Sequence, residues 1–308
     1  MIPFRTTLNV KQSDLKIALS DKVLCVGSCF SENIGAKLKD LQMPVCLNPF
    51  GISFNPMSMA ESLSDCQDNC PFNDGDLYFD GELYHSWQHH GSFSSTDAKK
   101  TLEHIRENIQ EAHNFLKGSA VILLTFGTAW VYELREQNRV VNNCHKAPAK
   151  MFRKRLLSVA EIVETYTPII SEFLKTGKKI IFTVSPIRHL RDGFVENNIS
   201  KSVLILAVAQ LKTVFGASIE YFPAYEILLD DLRDYRFYAD DMIHPSDVAI
   251  EYIWSLFQSV YFDKSTHEKI KEINKLQKMS AHRSLHTETK TYEKFQTELS
   301  ELKKKINP

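Results

Sequence analysis

Two short segments hold residue types able to do acyl chemistry. They are Gly27-Ser28-Cys29-Phe30 near the start of the chain and Asp240-Asp241-Met242-Ile243-His244-Pro245-Ser246 near its end. A serine hydroxyl is a poor nucleophile until a base takes its proton, and an imidazole base needs a carboxylate to orient it. Asp241 and His244, three positions apart, can supply orienting group and base from one turn, with His244 facing Ser28. Each motif alone has a plainer explanation. Ser28 can simply cap a helix, and Ser246 or Asp247 can cap the next one with His244 incidental. Cys29 is a rival nucleophile, although neighbouring residues at such a turn point in different directions. Two weak signals at opposite ends of one α/β pattern weigh more than either does singly.

That pattern must place both motifs on one side of a sheet. Continuous apolar, β-branched runs at 23–26, 121–126 and 180–184, with a weaker one at 218–222, read as buried parallel strands. Helical periodicity separates them. Ile34, Leu38 and Leu41 share one face, Leu102, Ile105, Ile109 and Phe115 mark another, and further helices are expected at 159–175, 199–215 and 247–261. Alternating strands and helices predict an α/β fold with a parallel sheet. Hairpin insertions are expected at 77–84, turning on Asp80-Gly81, and at 131–141, around Gln137-Asn138. Ligand sites in open α/β sheets lie at the carboxyl ends of the strands, which is where Ser28 falls. A helix starting beside Ser28 also offers free N–H groups and partial positive charge to a developing oxyanion.

Four further clusters follow strands or hairpins. Asn48-Pro49-Phe50-Gly51 lies after a short strand, and Gly51 can expose a backbone N–H. In Phe126-Gly127-Thr128-Ala129-Trp130, Gly127 would let substrate approach the backbone and Thr128 can donate a hydrogen bond. Arg188 in Ser185-Pro186-Ile187-Arg188-His189 can hold an anionic group, and His145 in Asn143-Cys144-His145-Lys146 can line a pocket.

Bulk properties narrow the classes. The chain has 308 residues, 43% hydrophobic and 24% charged, with a net charge of −1. Such a balance gives no overall field toward nucleic acid or an anionic membrane, so neither is an expected partner. Residues 1–10 lack the apolar run of a signal peptide, and no stretch reads as a membrane span. The six cysteines form no Cys-x-x-Cys pair, and reduced thiols in the cytoplasm are expected. His85, His89 and His90 lack a familiar ligand spacing, so no metal is expected. No Gly-x-Gly-x-x-Gly and no phosphate-cradling Gly-rich Lys loop occurs, so no nucleotide cofactor is expected. A Gly-x-Ser-x-Gly elbow is missing too, which argues against the α/β-hydrolase arrangement. Composition changes after residue 263, which divides the chain into a domain at 1–263 and a charged helical extension at 264–308. In that extension Ile270, Ile273, Leu276, Phe295, Leu299 and Leu302 make a narrow apolar stripe. A solvated tail is the expected arrangement, with packing on the body or on a second copy of the chain as the alternatives.

The opening Gly27-Ser28-Cys29-Phe30, with Ser31 in place of Ala, resembles the GSCFA domain family of bacteria. So do Asn48-Pro49-Phe50-Gly51, Ser185-Pro186, Pro223-Ala224-Tyr225-Glu226 and Asp241-x-x-His244-Pro245, over residues 4–261. That family is considered similar to the SGNH (GDSL-like) hydrolases, and the resemblance implies a three-layer α/β/α flavodoxin-like fold. It also implies Ser28 as nucleophile, Gly51 as an oxyanion donor, and Asp241 with His244 as the base pair. The substrate implied is a small acyl ester, including esters of carbohydrates, cleaved or transferred through an acyl-Ser28 intermediate. One departure stands out. Ala129 occupies the place of the Asn that those enzymes use as a further oxyanion donor, which leaves Thr128 or the N–H groups of Ser28 and Gly51 to serve. Losing one such donor costs about 10²–10³ in rate. A binding module that has lost turnover is the competing expectation.

Overall fold

A computed structural model of the chain describes residues 5–282 and 288–306. The first four residues of the expected 1–263 domain, and residues 283–287 and 307–308 of the extension, lie outside them.

Five strands form the central parallel sheet: β1 (Val23–Gly27), β2 (Val45–Leu47), β5 (Val121–Phe126), β9 (Lys179–Val184) and β10 (Ile219–Phe222). Their spatial order is β2-β1-β5-β9-β10. This is the flavodoxin-like order, in which the chain leaves β1 first to one side and then to the other. Side chains alternate between two cores, as the period of a strand requires. Val23, Cys25, Val121, Leu123 and Ile181 enter one core. Leu24, Val26, Ile122, Leu124, Ile180 and Phe182 enter the other.

Helices cover both faces. The first core is closed by α1 (Cys29–Asp40), the short α6 (Ala224–Glu226), α7 (Asp247–Tyr261) and α8 (Lys264–Ala281). The second is closed by α2 (Pro56–Asp68), α3 (Ala98–Lys117), α4 (Val159–Lys175) and α5 (Phe194–Phe215). Phe126, Tyr166 and Phe182 pack there with ring centroids 5.1–5.9 Å apart, and each buried ring of this size contributes about 1.5–3 kcal/mol. The architecture is thus a three-layer α/β/α fold.

Both expected hairpins form. One is β3 (Leu77–Phe79) with β4 (Tyr84–Ser86); the other pairs β6 (Trp130–Leu134) with β7 (Arg139–Val141). The second gains a strand absent from the sequence reading, β8 (Phe152–Leu156), giving an antiparallel sheet ordered β7-β6-β8.

Two expectations change. The start of the extension is not a solvated tail, because α8 buries Ile270, Ile273 and Leu276, the first two in the core shared with α1 and α7. A last helix, α9 (Lys290–Ile306), lies on α8 with a Lys275–Glu298 ion pair and Leu299 buried. The reading that no stretch is membrane-like also fails on length and composition alone. Residues 194–218 reach a mean hydropathy of 1.4. The inner face of α5 packs in the core through Leu204, Ala207, Val208 and Leu211, as a core helix of a sheet protein does, while Phe194, Val195 and Leu206 stay exposed.

Candidate active site

The reversal of strand order lies between β1 and β5, so the loops leaving their carboxyl ends diverge and open a crevice. Ser28 follows β1 and occupies the N-cap position of α1, with φ −70° and ψ 177°. Its hydroxyl makes no capping bond. Ser28 is fully buried, and Oγ has no hydrogen-bond partner among the described residues. The role of nucleophile requires Ser28 to be reachable by substrate, and the sequence reading also allowed it to be a mere helix cap. The structure leaves the first unmet and removes the second. A buried hydroxyl with no partner is uncommon and calls for an explanation.

Gly27 is required where it stands. A Cβ there would lie 2.4 Å from the carbonyl oxygen of Thr125 on the neighbouring strand. The loop after β2 is laced onto this point. Gly27 N–H donates to Asn48 Oδ1 at 2.9 Å, and Ser53 N–H donates to the Gly27 carbonyl at 3.1 Å. Asn48 Nδ2 is left buried with no partner, as are the hydroxyls of Ser53 and Ser31. The residue before Ser28 is thus held by Asn48 and Ser53, both of which carry an unspent side-chain group.

The backbone donors named from sequence are spent. Ser28 N–H donates to the Thr125 carbonyl at 3.3 Å, and Gly51 N–H to the Asn48 carbonyl at 2.7 Å. Gly51 is needed instead for its positive φ of 80° and its approach to His90, whose Cβ would lie 2.2 Å from a Cβ at this position. Gly127 and Thr128 both donate their N–H groups to the Phe54 carbonyl at 2.8 Å. The close approach at Gly127 is thus made by the protein's own chain, not by substrate. Thr128 Oγ1 shares a 3.0 Å hydrogen bond with Ser200 Oγ and accepts from Trp130 N–H. Ala129 is buried and offers no side-chain donor. Ser31 N–H donates to the Ser28 carbonyl at 2.8 Å, which leaves Asn48 Nδ2 and the N–H groups of Cys29 and Phe30, at the start of α1 where helix geometry supplies no intrahelical partner, free to donate.

The second motif assembles as expected. His244 Nδ1–H donates to Asp241 Oδ2 at 2.6 Å, while Asp241 Oδ1 accepts the N–H groups of Ile243 and His244, both at 2.9 Å. These bonds, that of the His244 N–H foremost, hold the Asp241 carboxyl down to about 2. Ala239 N–H to the His244 carbonyl (2.8 Å) and Ser246 N–H to the Phe237 carbonyl (2.8 Å) close the loop. Ser246 also caps α7 through Ala249 N–H. Capping therefore accounts for Ser246 and leaves the Asp241–His244 pair unexplained by it. Both side chains are about half exposed, and His244 Nε2 has no hydrogen-bond partner among the described residues.

His244 and Cys29 line one cleft of about 960 Å³, walled by the small sheet through Trp130, Tyr132 and Lys154. Ser28 is fully buried and does not line the cleft. Burial first, and Glu32 second, push the Cys29 thiol up, so it stays protonated. Thr128, His145 and Arg188 also line the cleft. His145 stacks on His85 at 4.3 Å and donates Nε2–H to the Ser86 carbonyl at 2.7 Å; burial pushes it down to about 4, so it is neutral.

The three histidines weighed for metal turn to separate partners. His85 binds Asp80 and Ser94, His89 shares a hydrogen bond with Ser86, and His90 with Ser92. No group of three His, Cys, Asp or Glu among the described residues could hold a metal ion.

Sequence reasoning missed Lys201. Its ammonium is fully buried and donates to the carbonyls of Gly127 at 2.6 Å and Ser185 at 2.8 Å, joining the loops after β5 and β9. Burial pushes it down to about 7. The only available signal was a lysine in the apolar stretch of α5.

A search of curated proteins gives no match to the chain. The GSCFA family model matches residues 22–257, well over half of the chain and all five strands of the central sheet, and on that match the chain belongs to the GSCFA family.

Proposed function

We propose that the protein is a serine esterase of the SGNH type, acting on a small acyl ester through an acyl-Ser28 intermediate. The observation that carries this reading is the unpartnered, buried Ser28 hydroxyl at the strand-order reversal, beside a cleft lined by a carboxylate-oriented imidazole. His244 Nε2 takes the Ser28 Oγ proton as Oγ bonds to the acyl carbon. The oxyanion is met by Asn48 Nδ2–H and by the amino-terminal N–H groups of α1. Collapse breaks the ester C–O bond, and the proton on His244 passes to the leaving alcohol. Water then attacks the acyl-enzyme by the same route in reverse. A second alcohol in place of water, such as a carbohydrate hydroxyl, makes the same site an O-acyltransferase.

One observation favours a second reading, a binding module without turnover. Ser28 is fully buried, and no hydrogen bond joins it to His244. A fluorophosphonate probe separates the two. The esterase reading expects one adduct, mapped to Ser28, missing from Ser28→Ala and formed far more slowly in His244→Ala. A protein that takes no label is a binding module by this test, and an adduct elsewhere refutes Ser28 as the nucleophile.

A further inference from the structure

The cleft is one-sided in charge. Its lining holds Lys146, Lys154, Arg188 and Arg191 against the single carboxylate of Asp192, which Lys154 engages in an ion pair. Among the described residues, neither Arg188 nor Arg191 has a carboxylate within ion-pair distance. Arg188 is nevertheless held in place. Its guanidinium stacks over Tyr238 at 4.0 Å and faces Tyr235 at 5.2 Å. The Arg188 backbone N–H donates to the carbonyl of Ile243, the residue before His244, at 3.3 Å. A planar guanidinium fixed by an aromatic face presents its donors as a fork suited to a carboxylate or phosphate.

The next residue adds a second donor. His189 also lines the cleft, edge-on to Phe54 at 5.6 Å, and its backbone N–H donates to Asn197 Oδ1 at 3.0 Å. Its Nε2 is buried with no partner among the described residues. Burial, and then the Lys201 charge, push the imidazole down to about 3, so it is neutral and carries a single N–H. In the Nε2–H tautomer that group is a donor awaiting an acceptor. Two adjacent residues, one a fixed unpaired cation and the other an unspent polar group, thus sit against the loop that holds the base.

We propose that the cleft takes an anionic ester, one bearing a carboxylate or a phosphate, anchored by the Arg188 fork with His189 Nε2–H as second donor. Which bond is cleaved rests on the Ser28 reading; the anion subsite does not.

The test has a binding arm and a turnover arm, both on the full chain. In the first, ¹⁵N-labelled protein is titrated with inorganic phosphate, with acetate and with neutral glycerol. Phosphate or acetate, but not glycerol, shifts the Arg188 and His189 side-chain signals, and the effect weakens as salt rises from about 50 to about 300 mM. The preferred anion tells phosphate from carboxylate. In the second, kcat/KM is compared for phenyl acetate, 4-acetoxybenzoate and 4-acetoxyphenyl phosphate. One of the anionic esters is favoured over phenyl acetate by about 10- to 100-fold, the effect of a charge-assisted pair. That ratio collapses toward one in Arg188→Gln and survives in part in Arg188→Lys. A ratio near one in the wild type, or no response of Arg188 and His189 to either anion, overturns the proposal. If Arg188→Gln does not fold, the salt dependence of the wild-type ratio decides, and a salt-independent ratio overturns the proposal. Anion binding without turnover of any ester leaves the subsite standing and fails the esterase reading.

Discussion

Ser28→Ala is expected to make the protein more stable while removing its chemistry. The hydroxyl lies in a fully buried position and bonds to nothing among the described residues, and burying a hydroxyl unpaired costs about 1–3 kcal/mol in proteins. Alanine keeps every other atom of the side chain and removes that cost. No capping bond is lost, because Ser28 Oγ makes none. For 308 residues, an unfolding entropy of roughly 2 cal/mol/K per residue gives roughly 0.65 kcal/mol/K, so Tm rises by about 1.5–5 °C. The assay is urea unfolding of both proteins, read as a shift of midpoint at unchanged slope, beside labelling by the serine probe. If Ser28→Ala is instead less stable by about 1 kcal/mol, the size of a lost N-cap, the hydroxyl is a structural cap and the reasoning fails.

Asn48→Asp keeps the acceptor that holds Gly27 N–H but replaces the Nδ2–H donor with negative charge. The kcat on an acyl ester should fall by about 10²–10³ or more, and an unchanged kcat assigns the oxyanion to other donors. Because burial keeps the Cys29 thiol protonated, iodoacetamide near neutral pH should leave Cys29 unmodified, and Cys29→Ala should retain the turnover that Ser28→Ala lacks. Fast alkylation of Cys29 that abolishes turnover would hand it the nucleophile's role. Lys201, lowered from 10.5 to about 7, binds fewer protons folded than unfolded between those values. Wild-type stability should therefore rise with pH across that window, by up to about 1.4 kcal/mol per pH unit. The difference between wild type and Lys201→Met in urea titrations at several pH values isolates this slope, and parallel curves refute it.

The strands most legible in sequence were those buried on both faces. β1, β5 and β9 read as apolar, β-branched runs, within a residue of their observed ends, because all but Lys179 of their positions are buried. β8 was illegible for the opposite reason. Its Phe-Arg-Lys-Arg-Leu pattern is an edge strand of the small sheet, held partly by charge. Arg153 and Arg155 donate to Glu133 on the adjacent β6 at 2.8 and 2.6 Å, a pairing visible only once the two strands lie side by side. α2 escaped notice because serines and acidic residues interrupt its apolar positions, yet Ser58 and Ser62 are buried with Met59 and Leu63. α5 begins five residues before the expected start because its first turn, Phe194 and Val195, faces outward and breaks the helical pattern of burial.

The site divides along a similar line. Asp241 and His244 were readable because both partners and the turn that joins them lie within four consecutive residues, so spacing nearly determines geometry. The donors left free in the fold were not, because a donor's availability depends on which other groups have already claimed it. Gly51 and Thr128 carry suitable N–H groups by residue type, and the fold spends both on nearby carbonyls. Asn48 reads as one residue of a turn, yet its Oδ1 is bound to Gly27 N–H and its Nδ2 is left over. The positive φ of 43° at Asn48 is the kind of backbone that asparagine tolerates better than most residues, so a turn role and a donor role coincide in one side chain. Two side chains with unpartnered buried groups, Ser28 and Asn48, are linked there through Gly27, whose N–H donates to Asn48 Oδ1 and whose carbonyl carbon bonds to Ser28 N. Neither unpartnered group is needed to hold the fold, and each costs stability where it stands. A ligand carbonyl that bonds to Ser28 Oγ and accepts from Asn48 Nδ2–H would relieve both costs at once, and under the esterase proposal an acyl group is such a ligand.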